Sequence, residues 1–284
     1  MRIYNVLGYS ILLVYGVLCA LVAPAHFGPW LGFGIGAAYL IAGWFMAGLY
    51  LSDVIHMGIA HRALDYKPWF IHLVTFLNNT FGIYVNPETW VNRHRLHHRY
   101  ADTDGDPNKL ASDGFWKTLK LCLFPYACNE NVANDSIFKT PLFRFISNPV
   151  YAVVSQVFNF ALLYWLVKDL GYAVTLWLGT RIFAIWVNMV QNYWTHDKRW
   201  GYRRYEDADN AMNIGDWLPV MATFSACLQN NHHHFPSLLR LSHDDSEFDF
   251  GFMTVKVMRR LGLVTATRKG TELGPEIPLK SFNF

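Results

Sequence analysis

The sequence predicts an all-α integral membrane fold: four transmembrane helices, interfacial helices, and a cytoplasmic cap carrying clustered histidines. Three observations predict it. Of 284 residues, 52% are hydrophobic, 17% aromatic and only 16% charged, where a soluble domain carries about 25% charge. The shortfall is concentrated in four apolar runs, each about long enough to cross a hydrocarbon core of roughly 30 Å. Eight of the twelve histidines lie in clusters just outside those runs. The net charge of +3 is small and dispersed, which does not point to nucleic acid. The four cysteines follow no metal-binding spacing and suggest no disulfide framework.

In chain order, residues 7–23 are uncharged and end at Pro24, and a second span covers about 30–52 after a short turn. The absence of a strongly basic leader and the immediate second span argue for an uncleaved helical hairpin rather than a signal peptide. Gly32, Gly34 and Gly36 lie among apolar residues, where small side chains let membrane helices approach closely. His56 and His61 follow. Five residues apart on an α-helix is about 140° of rotation, so this pair does not share one face: it straddles a cavity, or meets one metal where the helix unwinds. Residues 69–86 are apolar but contain His72, Asn78 and Asn79. They are expected to lie in the interface, because a crossing there would put His56 and His94 on opposite sides of the membrane.

The stretch HRLHHRYADTDGDP, 94–107, places His94, His97 and His98 on one helix face. Asp102, Asp104 and Asp106 follow closely, as acceptors for the second ring N–H of liganding histidines. Two further spans are expected at 150–167 and 170–194, joined by Lys168 and Asp169. Arg181 inside the last span must face protein or water. It precedes Asn188, Asn192 and His196 on nearly one side, a stripe expected to end in a site. The motif QNNHHHFP, 229–236, is the last cluster. The whole chain, 1–284, is expected to form one membrane domain, with 53–147 and 195–284 cytoplasmic. With that topology, all of the 24 Lys and Arg except Lys168 and Arg181 face the cytoplasm.

His56, His61, His94, His97, His98, His196, His232 and His233 exceed what one metal can use, so two metals are implied. Structural zinc takes four ligands, usually with cysteine. Imidazole also suits iron and copper, and iron fits the activation of O2 beside a buried alkyl chain. A non-enzymatic membrane metal carrier is the alternative from a different class.

The HxxxxH at 56–61, HRLHH at 94–98, the Asn-x-x-x-His from Asn192 to His196 and the terminal NNHHHFP resemble the membrane fatty-acid desaturases, especially their acyl-CoA, stearoyl-type branch. The resemblance covers roughly residues 40–236. It implies a four-span enzyme with a cytoplasmic di-iron site ligated by the motif histidines, O2 as co-substrate, and Asn192 meeting the site through water. It also implies a fatty acyl substrate held on CoA, a carrier protein or a lipid, and electrons from ferredoxin or from cytochrome b5 with its reductase. Trp90 matches a family tryptophan near the acyl tunnel. Arg93, Arg95, Lys117, Lys120 and the basic stretch 198–204 are candidates for the head group, although basic side chains beside a membrane more often meet anionic lipid. One departure stands out: Gln229 occupies the place of the first histidine in the third box. Its carbonyl oxygen can bind a hard metal. The alternatives are that His234 compensates after a local shift, or that the site is altered toward hydroxylation or acetylenation. Asp53 is a further candidate oxygen. The compact chain points to a bacterial inner membrane rather than the endoplasmic reticulum.

Overall fold

The computed structural model describes residues 1–108, 114–124 and 128–267. The tail at 268–284 and short stretches of the expected cytoplasmic segment lie outside them. Among the described residues, four helices are long and apolar enough to cross a membrane. The first, α1 (Ile3–Leu21), packs against the second, α2 (Gly28–Gly48). Their glycines explain the closeness. A Cβ at Gly32 would come within 2.2 Å of Ala23, and one at Gly36 within 2.5 Å of the Cys19 sulfur. At Gly34 a Cβ would meet nothing, so two of the three glycines mark the helix contact.

The second span does not stop at residue 52. It continues to Ala60, and from Leu49 to Ala60 it is π-wound. Each N–H then reaches back five residues instead of four, as His61 N–H does to His56 O at 2.9 Å. Three residues, His61 to Ala63, lead into β1 (Leu64–Tyr66), which pairs antiparallel with the strand β2 (Val264–Thr267).

The apolar segment after β1 forms α3 (Pro68–Phe81), and α4 (Pro87–Tyr100) carries the second histidine cluster. The short helices α5 (Phe115–Leu123) and α6 (Pro141–Ile146) follow. Then come the long pair α7 (Pro149–Val167) and α8 (Leu170–Asn192). Asn148 and Asp169 cap these two by accepting hydrogen bonds from Val150 N–H and Tyr172 N–H. Lys168 takes the left-handed conformation that closes the turn. Val150, Val153, Val154 and Val157 stand more than half exposed on the outside of α7, a face that needs lipid to cover it.

The cap is completed by α9 (Trp217–Ala222), α10 (Gln229–His234) and α11 (Phe250–Arg260). It is fastened to the bundle. Tyr4 O–H donates to Asp216 at 2.6 Å, and the indole of Trp44 donates to Ala222 O at 3.2 Å.

Arg181 does not continue the polar stripe toward the cap. Its guanidinium donates to Gly82 O, to Gln156 and Asn159 of α7, and to Trp177 O. Asn159 donates in turn to Phe81 O at 2.7 Å. This knot satisfies the carbonyls at the end of α3. α3 therefore reaches inward from the cap end and is tied off inside the bundle.

Candidate metal centre

Four segments deliver eight imidazoles to one end of the bundle. They form two adjoining groups: His56, His61, His94, His98 and His232, and beside them His97, His196 and His233. Within each group the ligand nitrogens lie within 4.8 Å of one another. The groups touch, with the rings of His98 and His233 centred 4.5 Å apart.

The π-winding resolves the first pair. Because residues five apart are bonded across one turn, His56 and His61 come to nearly the same side, their rings 4.8 Å apart. The α-helical expectation of about 140° fails for that reason. On α4, Asn86 accepts a hydrogen bond from Thr89 N–H at 3.1 Å and Pro87 opens the helix. From that start His94 and His98, one turn apart, enter the five-histidine group, while His97 enters the other. α10 divides its pair in the same way, His232 to the first group and His233 to the second.

The Nε2 atoms of His61 and His94 approach to 2.7 Å. His232 Nε2 lies 3.0 Å from the Nε2 atoms of both His56 and His98. Neutral imidazoles pressed together in this way set lone pair against lone pair unless each contact shares a proton. A cation among them uses every lone pair at once, and metal–imidazole bonds of about 2.0–2.1 Å bring ligand nitrogens to such separations.

The three-histidine group is built differently. Each of its rings gives Nδ1–H to a carboxylate: His97 to Asp106 at 2.8 Å, His196 to Asp102 at 3.2 Å and His233 to Asp209 at 2.7 Å. These bonds direct Nε2 inward. His233 Nε2 is buried with no hydrogen-bond partner, and so is Gln229 Oε1, in a side chain only 8% exposed. Asp102, in the left-handed conformation, also accepts from Asn210 N–H at 2.8 Å. Orphaned buried acceptors on the helix that carries His232 and His233 suit a metal.

Burial, reinforced by neighbouring rings, holds His61, His94, His98 and His232 well below the ordinary histidine range. Burial also lowers His233 to about 4 despite Asp209. Burial opposes ionisation of Asp209, yet the bond from His233 keeps its carboxyl below the usual carboxylate range. These five imidazoles are therefore neutral at neutral pH, the form that binds metal.

The remaining candidates fall as follows. Trp90 stacks on His94, centroids 4.9 Å apart at 13°, and sets its edge toward His56. Arg93 donates to Asn108 at 2.8 Å. Asn192 donates to Asn188. Lys117 and Lys120 are exposed. Arg203, in the basic stretch, is spent on the carbonyls of Tyr205, Asp207 and Asp209. His234 does not compensate for Gln229. It stacks on Tyr205 and bonds Asp207, outside both groups. Asp53 accepts from Thr254 of α11 and belongs to neither group. Of the three carboxylates after α4, Asp102 and Asp106 serve histidines while Asp104 is exposed on the turn. Asp209 was not foreseen. It lies 24 residues before the histidine it serves, and no local spacing marks it.

The family model described as fatty acid desaturase matches residues 28–243. The sn-1 stearoyl-lipid 9-desaturase of Anabaena variabilis is 28% identical over 255 residues, covering 88% of each chain. The Delta-9 acyl-lipid desaturase 2 of Arabidopsis thaliana is 25% identical, covering 89% of this chain and 80% of its own. The acyl-CoA C20 Delta5-desaturase of Anemone leveillei is 29% identical, covering 93% and 83%. With that match spanning most of the chain and all eight clustered histidines, the protein belongs to the fatty acid desaturase family and is a membrane oxidoreductase acting on fatty acyl chains.

Proposed function

We propose that the protein is an O2-dependent di-iron desaturase. It takes one hydrogen from each of two adjacent acyl carbons. With two electrons and two protons from a donor system, O2 leaves as two waters. The observation that carries this reading is the convergence of eight imidazoles into two adjoining groups, one of them backed by three carboxylates. Two irons bound there would supply the oxidising power needed against unactivated C–H bonds.

His56, His61, His94, His98 and His232 would hold one iron, and His97, His196 and His233 the other. Gln229 would add its orphaned oxygen as a fourth donor to the second, and Asn192 would meet that site through water. Trp90, stacked on His94, would flank the acyl chain and keep water from it, with Arg93 toward the polar end of the substrate. The acyl carrier would be a lipid or CoA, in keeping with the names of the relatives, and electrons would come from ferredoxin or from cytochrome b5 with its reductase. The histidine end would face the cytoplasm, in keeping with the charge distribution, in a bacterial inner membrane.

The test is to purify the protein with iron, count metal per chain, and supply O2, a reductase–ferredoxin system and a panel of acyl lipids and thioesters. About two irons per chain and a product lighter by two hydrogens are expected. A product heavier by one oxygen would make it a hydroxylase. Tightly held zinc with no turnover on any substrate would end the oxidative reading.

A further inference from the structure

The end of the π-wound segment is joined to α4 by something other than the imidazoles. His56 O and Met57 O accept from His61 N–H and Ala63 N–H, each at 2.9 Å. The carbonyls of Ile59 and Ala60 lie beyond those bonds, at a helix end that leaves acceptors over. Arg95 takes both, donating from Nη2 to Ile59 O at 2.7 Å and from Nε to Ala60 O at 3.0 Å. Arg95 sits directly after His94, and Ala60 directly before His61. The same guanidinium grips Asp135 with two N–H groups at 2.6 and 3.2 Å, the forked geometry that arginine offers a carboxylate. Asp135 also accepts from Arg62, the residue after His61, at 2.6 and 3.0 Å.

Asp135 is not loose. Its loop is fastened to α4 by Asn92, which donates to Glu130 O at 2.8 Å and accepts from Val132 N–H at 2.6 Å. Arg95 adds a bond to Val132 O. The result is a closed ring: α4, the loop to Asp135, Arg62, the π end, and back through Arg95 to α4. The Arg95 and Asp135 side chains are only 16% and 14% exposed, so this ion pair is shielded from the screening that weakens surface pairs.

We infer that Asp135 is a positioning residue for the five-histidine group, holding His61 against His94 through Arg95 and Arg62. This rests on the metal centre proposed above. Asp135 lies outside every histidine cluster and touches no histidine of either group; it acts through the two arginines adjacent in sequence to His61 and His94. The ring supports one group only. His97, His196 and His233 are held by their own carboxylates.

The test uses metal-free full-length protein in lipid nanodiscs titrated with Co2+, following visible absorption and bound metal by dialysis. The wild type is expected to bind about two Co2+ per chain. Asp135→Ala should bind one of them about 10–100-fold more weakly and leave the other unchanged, with the absorption of the five-histidine site altered. Adding His97→Ala should then remove the remaining tight site, and Asp135→Glu should recover part of the loss. Asp135→Asn replaces the alanine variant if that one elutes as aggregate. Retention of both sites at wild-type affinity would overturn the inference, and so would equal weakening of the two. Failure of the wild type to bind two ions would instead bring down the metal centre itself, and the inference with it.

Discussion

His233 gives Nδ1–H to Asp209 and keeps Nε2 for the site, so one carboxylate decides which nitrogen is available. Asp209→Ala leaves that N–H without its acceptor, and a buried group left unpaired costs about 1–3 kcal/mol. The expected outcome is about 10–100-fold weaker metal binding in the three-histidine group, read as metal per chain after a timed chelator challenge. As a ligand, Gln229 would be a weaker donor than an imidazole. Gln229→Ala should lose metal from the same group faster than the wild type in that challenge, and Gln229→His should lose it more slowly. If all three proteins release metal alike, Gln229 is no ligand.

Helices impose their own rules on these residues. An α-helical second span would have turned His56 and His61 apart. The π-winding of Leu49–Ala60 puts both in one group and makes a continuous 33-residue helix from membrane span to histidine cluster. α3 shows the opposite tactic, a helix stopped inside the bundle with its last carbonyls given to Arg181 and Asn159. Arg181→Leu leaves Gly82 O only its long bond from Gln156 and takes the donor from the amide oxygens of Gln156 and Asn159. A loss of about 1–3 kcal/mol per buried acceptor left unpaired is expected, seen as a lower thermal midpoint in nanodiscs. An unchanged midpoint would show that α3 is held by its apolar packing alone.

For the whole molecule, the crowded imidazoles link stability to pH and metal. His61, His94, His98 and His232 are held well below their ordinary value, and His233 is lowered from 6.5 to about 4. For bases with a depressed folded-state pKa the unfolded chain takes up protons first. Their contribution is therefore complete above pH 6.5 and is lost as pH falls toward 4. The metal-free protein should show its thermal midpoint falling across that window. Iron loading should raise the midpoint at neutral pH, since a ligand bound only by the folded state stabilises it, and should move the acid loss to lower pH. Identical profiles with and without metal would place the metal elsewhere.

The sequence by itself determined the membrane class, the four spans and the eight histidines, because hydropathy and clustering are properties of neighbouring residues. His94, His97 and His98 could be put on one face from their spacing alone. Only the tertiary structure decided how the eight divide, since the same α4 face feeds two groups and α10 splits adjacent histidines between them. It also decided the winding at His56 and His61, the turning of Arg181 to α3 instead of the cap, and the commitment of Arg95 to Ile59 O and Ala60 O. Asp209 and Asp135 left no trace in the sequence for the same reason. A carboxylate that serves a partner 24 or 40 residues away has no periodic signature, and only the folded chain brings the two together.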